Sequence, residues 1–289
     1  MIQLRQKLEN IRTKHGVLWE VIERDYMLSW LLAGISRDPK LHDTLVFKGG
    51  TALKKCYFGD YRFSEDLDFS SRGAYLHGDD LENAIKQVCE RSTELAEEYS
   101  PIEFTAKRYT EKRPHPDEQE AFIIRARFPW HRQFLAKVMI EITVDEPILM
   151  PPVSKPILHE YEEEMNNELM TYTLEEIVAE KLRAILQQQE KLEQRGWSRS
   201  RARDYNDIWN IFKSFSDDLD INLIPELLIN KCTVRDIEIT GAEQFFEKTT
   251  LDFVESTWEE WLGHLVRELP AFETVINDLK LSLNLLLAK

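Results

Sequence analysis

Asp66 and Asp68 are the residues of this sequence whose types and spacing first suggest chemistry. The segment Tyr61–Ser70 reads as a strand: Phe63, Leu67 and Phe69 point one way, while Ser64, Asp66, Asp68 and Ser70 point the other. Two carboxylates one residue apart on a strand leave the same face with Cα atoms about 6.5–7 Å apart. At that range they repel unless a divalent cation lies between them. Mg²⁺ suits such hard oxygen donors and completes its octahedron with water and substrate phosphates, and Mn²⁺ takes the same ligands. The plain alternative is the solvated side of an edge strand.

Neighbouring segments favour the metal reading. Gly49-Gly50-Thr51 stands where a short β-prone segment, Thr44–Lys48, gives way to a helix-like one. Backbone N–H groups at such a turn, helped by the helix dipole, hold phosphate. Downstream, Lys137–Val144 alternates so that Val138, Ile140, Ile142 and Val144 share one face and Lys137, Glu141 and Thr143 the other. Glu141 is the candidate third carboxylate, Asp145 its nearest substitute, and a solvated charge the competing explanation for either.

The second half adds cations in unusual places. Thr173-Leu-Glu-Glu176 is a capping box ahead of a long amphipathic helix. On that helix Lys181 has Ile177, Val178, Ala184 and Ile185 at its i±3 and i±4 positions. A cation inside an apolar stripe either snorkels to solvent or meets an anion, such as a triphosphate in a cleft between domains. Asp204 begins another helix and reads as a cap, a dipole partner or a functional acid. From Lys181 to Arg203 there are seven basic residues and two acidic ones. Arg195, Arg199, Arg201 and Arg203 beside Trp197 suit phosphate contact with base stacking, or a solvated loop. The eight acids from Glu160 to Glu180 read as a solvated acidic face.

The elements that must position these groups follow from periodicity. Helices are predicted at 17–36, 80–100, 202–215 and 251–269, with an amphipathic tail at 275–287 that docks inside or outside the chain. Strands are predicted at 121–128 and 137–144, within or beside a basic stretch, 107–137. Pro147, Pro151, Pro152 and Pro156 suggest a connection, placing a boundary near 147–170. The domains expected are 1–160, a catalytic core with N-terminal helices, and 161–289, a helical domain completing the nucleotide and RNA cleft.

Composition narrows the classes. The chain has 289 residues, 43% hydrophobic and 31% charged, as in an ordinary globular protein. Its formal net charge of −15 excludes an overall basic nucleic-acid glove, so any such contact is local. Three cysteines at wide spacing form neither a disulfide framework nor a zinc site, and the seven histidines show no His-Glu-x-x-His pattern. The first residues lack the apolar core of a signal peptide and no apolar run spans a bilayer, so a cytoplasmic protein with no membrane partner is expected.

Phe47-Lys-Gly-Gly-Thr-Ala-Leu53, Arg62-Phe-Ser-Glu-Asp-Leu-Asp-Phe69, Glu180-Lys-Leu-Arg-Ala184 and Arg201-Ala-Arg-Asp-Tyr-Asn-Asp207 together resemble the AbiEii/AbiGii-type nucleotidyltransferase toxins of type IV toxin–antitoxin and abortive-infection systems. The resemblance covers roughly residues 20–215. It implies an α+β, DNA-polymerase-β-like nucleotidyltransferase core, a small mixed sheet flanked by helices, with a helical C-terminal domain. It further implies Mg²⁺-dependent use of a nucleoside triphosphate, an RNA acceptor such as the 3′ end of tRNA, and a cognate antitoxin. Carried onto this chain, it places Lys48, Gly49, Gly50, Thr51 and Ser64 at the nucleotide and Asp66 and Asp68 at the metal. Lys181 falls on the family's nucleotide-binding lysine, and Asp204 on an acid needed for activity. Gly-Gly-Thr stands where the wider superfamily has Gly-Ser, so the likeness to polymerase β is loose, and Glu141 matches no shared motif. Two rival readings are a metal-dependent nuclease, for which Glu141-Ile-Thr143 lacks the usual lysine, and a non-catalytic binding protein on a degenerate transferase fold.

Overall fold

The computed structural model describes residues 2–110 and 119–287, so residues 111–118 of the basic stretch lie outside the described part. The chain divides into two compact units, Met1–Tyr172 and Thr173–Lys289.

The first unit is built on a seven-stranded mixed sheet in the order β3-β4-β5-β2-β1-β7-β6. The strands are β1 (Leu45–Lys48), β2 (Leu67–Ser71), β3 (Glu103–Arg108), β4 (Gln119–Arg127), β5 (Ala136–Thr143), β6 (Val153–Pro156) and β7 (Glu168–Thr171). Pairings β2–β5 and β1–β7 are parallel and the rest antiparallel. Helices α1 (Ile2–His15), α2 (Trp19–Ser36), α3 (Pro39–Thr44), α4 (Gly49–Ala52) and α5 (Gly78–Glu97) accompany the sheet, and a π-helical turn, Leu53–Phe58, continues α4. Phe47, Leu67, Phe69, Ile140 and Ile142 are buried at the centre of the sheet, where alternation sends their side chains to one face. Each such side chain stabilises the fold by about 1.5–3 kcal/mol relative to exposure.

Three expectations need correction here. The strand predicted from Tyr61 begins only at Leu67, because side chains take over the backbone groups of the preceding loop. Lys54 Nζ donates to the carbonyls of Gly59 and Tyr61, at 3.1 and 3.3 Å, and the Thr51 hydroxyl donates to the carbonyl of Asp66. Second, the helix predicted at 17–36 begins only at Trp19, and α2 is then buried from Val21 to Met27 apart from Arg24, and throughout to Ile35. Its polar residues are matched internally: Asp25 accepts from Lys55 Nζ at 2.7 Å and from the Tyr161 hydroxyl at 2.9 Å. Burial alone would raise the Asp25 carboxyl, but the ammonium groups of Lys55 and Lys54 outweigh it and hold it below the usual carboxylate range. Third, the proline-bearing stretch carries β6 at the sheet edge, where a residue without an N–H is tolerated, and β7 beside it.

The second unit is helical: α6 (Leu174–Arg195), α7 (Ala202–Ser214), α8 (Ile224–Thr233), α9 (Lys248–Ser256), α10 (Trp258–Leu262) and α11 (Phe272–Leu287), with a 3₁₀ turn at Ala242–Phe246. Thr173 caps α6 by accepting the Glu176 N–H at 3.3 Å, and Gly196 ends it in the left-handed conformation, φ +72°. The capping-box glutamate has a further role, since Glu176 pairs with Lys231 at 2.9 Å with both side chains fully buried. The acids from Glu160 to Glu180 are only in part a solvated face: Glu162, Glu164 and Glu168 are exposed, whereas Glu163 meets His159 at 3.0 Å and Glu175, in the first turn of α6, accepts the Asp220 N–H at 3.0 Å. The helix predicted at 251–269 is broken after Ser256 into α9 and α10. The tail docks inside this unit, with Val275, Ile276, Leu279, Leu283 and Leu286 buried. No described helix is long and apolar enough to cross a membrane.

Candidate active site

Strand register brings charged residues into one row. Lys48 on β1 is the cross-strand partner of Asp68 on β2, and Asp68 is the partner of Glu141 on β5. Residues directly opposite share a face with Cβ atoms about 4.5–5.5 Å apart, so the side chains of Lys48, Asp68 and Glu141 leave neighbouring positions on one face of the sheet. Asp66 lies just before β2 and aligns one residue earlier, where its Oδ1 accepts the Met139 N–H at 3.2 Å. That bond ties the Asp66 carboxylate to β5, the strand that carries Glu141. Asp66, Asp68 and Glu141 are all half-buried, whereas Asp145 follows the end of β5. Lys48 is buried and its Nζ lies 3.4 Å from Glu146 Oε2.

The glycine turn is fitted to this row. Gly49 adopts φ +76°, the region that disfavours side chains, and an added Cβ would strike the Asp68 carboxylate. At Gly50 an added Cβ would strike the guanidinium of Arg62, a buried residue whose Nη1 donates to the Phe63 carbonyl at 3.2 Å. Both glycines thus permit close approach of charged side chains to backbone. Thr51 is fully buried and spends its hydroxyl on the Asp66 carbonyl, so it locks the loop that leads into the acids. Ser64 lies in that loop, half-buried. The oxygens of Asp66, Asp68 and Glu141 make a hard donor set of the kind Mg²⁺ and Mn²⁺ accept, and this fits a divalent cation.

In the second unit Lys181 does not snorkel. Its Nζ lies 2.7 Å from Asp204 Oδ1 and 2.8 Å from Asp207 Oδ2, all three being largely or fully buried. Arg201 Nη1 adds a contact to Asp204 Oδ2 at 3.3 Å. Burial by itself pushes the Asp204 carboxyl up, but Lys181 and Arg201 more than offset it and keep it below the usual range. The arginines expected to gather beside Trp197 are arranged differently. Arg199 and Arg203 each sit 5.3 Å from the ring centroid of Trp261, Arg195 is exposed, and Trp197 is 69% exposed. Burial lowers the proton affinity of Lys191, and repulsion from Arg201, Arg195 and Arg183 lowers it further.

Comparisons with known proteins decide the family. The model for the nucleotidyl transferase AbiEii toxin of type IV toxin–antitoxin systems matches residues 30–278. The chain belongs to this family. AbiEii membership makes it a nucleotidyltransferase toxin, and therefore implies a nucleoside triphosphate substrate and an antitoxin partner. Among solved structures it is similar to MenT4, a nucleotidyltransferase toxin from Mycobacterium tuberculosis H37Rv, with a TM-score of 0.60 at 20% identity over 92% of this chain and 84% of that one. The shared fold is the MenT-like nucleotidyltransferase fold. No curated protein matches the chain.

Within the AbiEii chain, the residues singled out from sequence fall into two groups, one in each unit. Lys48, Gly49, Gly50, Thr51, Asp66, Asp68 and Glu141 gather around β1, β2 and β5, while Lys181, Asp204 and Arg201 cluster on α6 and at the start of α7. Sequence reasoning missed Arg62, Glu146 and Asp207. Arg62 and Asp207 lie within the family-like motifs, and a charged residue that such a motif leaves without a role is the signal that points to them.

Proposed function

We propose that the protein transfers a nucleoside monophosphate from a nucleoside triphosphate to a hydroxyl of RNA, with the 3′ end of tRNA as acceptor, in the cytoplasm. The observation that carries this reading is the register row of Lys48, Asp68 and Glu141 with Asp66 one step away, directly beneath a diglycine turn. In the reaction the acceptor oxygen bonds to the α-phosphorus, the α–β phosphoanhydride bond breaks, and pyrophosphate leaves. A divalent cation, Mg²⁺ or Mn²⁺, held by Asp66, Asp68 and Glu141, would supply Lewis-acid stabilisation of the phosphate charge. Lys48 and the N–H groups at Gly49 and Gly50 bind the phosphate oxygens, with Ser64 as a hydroxyl donor nearby. Asp68 and Asp66 orient the reacting phosphate, each fixed in turn by the packing of Gly49 and the N–H of Met139.

In the second unit we assign Lys181 to nucleotide binding and Asp204 to holding its ammonium in place. Arg195, Arg199, Arg201 and Arg203 contact the RNA backbone, which supplies the local positive charge that an acidic chain needs for an RNA partner. The antitoxin is a protein partner, and no membrane is involved. A non-catalytic role on a decayed site fits poorly, because both aspartates and the glycine turn persist. The test is incubation with total RNA, Mg²⁺ and each of the four α-labelled triphosphates, with a chelator control. Chelator-sensitive label on RNA supports the transfer reading. Shortened RNA would indicate a nuclease, and unchanged RNA a binding protein.

A further inference from the structure

Away from the acidic row, the first unit carries a cleft of about 550 Å³ lined by Arg5, Gln6, Glu9, Arg12 and Trp19. Its aromatic wall is unusually fixed. The indole N–H groups of Trp19 and Trp130 both donate to one oxygen of Glu23, at 2.7 and 2.6 Å, and His131 Nε2 lies 3.1 Å from the same atom. Glu23 is buried, the two indoles meet edge to face at 5.8 Å, and Trp130 stacks on Phe128 at 5.1 Å. Arg5 is exposed and forms no ion pair among the described residues; its guanidinium lies 5.9 Å from the Trp19 ring and 6.0 Å from that of Trp130. Arg12 is seven residues on, about 10 Å further along the same face of α1. Glu9 grips its fork through contacts of 2.6–3.1 Å. The other cations of α1 are engaged elsewhere, Lys7 with Glu163 at 3.5 Å and Lys14 with Glu160 at 3.1 Å. The far end of α1 touches the loop before the acids, since His15 packs edge to face on Phe63 at 5.2 Å.

We propose that this cleft is a binding subsite for one nucleotide of a single-stranded RNA, the base resting on Trp19 and the flanking phosphates on Arg5 and Arg12. The assignment rests on RNA being the acceptor. An immobilised indole loses little entropy when a base stacks on it, a guanidinium already lying over that ring can add its plane and charge, and the long side chains of Arg5 and Arg12, on one face of α1, supply cations on either side of the cleft for phosphates. Gln6 offers an amide for the base edge.

The experiment measures anisotropy of a labelled single-stranded RNA oligonucleotide on the full-length protein, without triphosphate or metal. Arg5→Glu with Arg12→Glu should weaken binding about tenfold or more, and Trp19→Ala should weaken it while Trp19→Phe largely keeps it. Glu9→Gln should tighten binding, because it releases Arg12; a merely structural cleft would not move in that direction. Wild-type affinity in the double charge reversal would overturn the proposal. So would displacement of the oligonucleotide by a free mononucleotide as readily as by unlabelled RNA. If no triphosphate labels RNA yet these variants lose oligonucleotide binding, the transfer reading fails and the subsite stands. If labelling proceeds with unchanged RNA dependence in the double variant, the subsite fails and the transfer reading stands.

Discussion

Lys181 shows how a residue is read differently once its neighbours are visible. From sequence it was a cation stranded in an apolar stripe; in the fold it is the counter-charge for two buried carboxylates, Asp204 and Asp207. Removing one partner of such a cluster leaves like charges uncompensated, which costs about 3–5 kcal/mol. Lys181→Met should therefore lower the urea midpoint markedly, and adding Asp207→Asn should recover part of the loss. Loss of activity in Lys181→Met alone thus mixes a folding defect with a binding one, and only the combination with an unfolding curve separates them. The same cluster sets a pH dependence. A carboxyl held below its ordinary value in the folded state contributes stability that is complete above the unfolded pKa and is lost as pH falls through the folded one. Asp204 and Asp25 are both of this kind. Urea midpoints should be level from pH 7 to about 5 and fall below about pH 4, near the carboxylate pKa of an unfolded chain.

At the level of elements, what was legible depended on whether burial alone dictated the pattern. β5 alternates strictly, so its extent and the outward position of Glu141 were readable to within a residue. β2 was overextended because loop residues 61–66 carry the same alternation while their backbone is held by Lys54 and Thr51, which no periodicity reveals. β3, β6 and β7 were missed for the opposite reason: they are short or lie at or near the sheet margins and bury little. The register that aligns Lys48, Asp68 and Glu141 is a long-range fact, and sequence supplied only the candidates. The turn between β1 and α4 carries a sharper consequence. Gly49→Ala forces a side chain into a left-handed backbone position and into the Asp68 carboxylate. It should cost about 1–3 kcal/mol in stability, read by thermal melting, and reduce nucleotide transfer far more than that loss explains.

Across the whole molecule, a net charge of −15 means that the proposed RNA binding must set local arginines against a repulsive surface. Binding to single-stranded RNA should weaken steeply with salt, and each phosphate contact removed from the Arg195–Arg203 patch should reduce the log–log slope by about 0.7. A titration of binding against salt for Arg199→Gln and Arg203→Gln checks this, with each on its own platform position over Trp261. Membership of the AbiEii family settles that the chain is a nucleotidyltransferase toxin, while the residue-level chemistry proposed for it rests on the acidic row. The most direct test of that chemistry is the rate at which Asp68→Asn labels RNA from an α-labelled triphosphate, measured on protein whose melting temperature matches that of the unaltered chain. The account predicts a rate at least about a hundredfold lower, since a carboxylate that holds the cation and orients the phosphate acts chiefly in the transition state. A rate equal to that of the unaltered protein would contradict it.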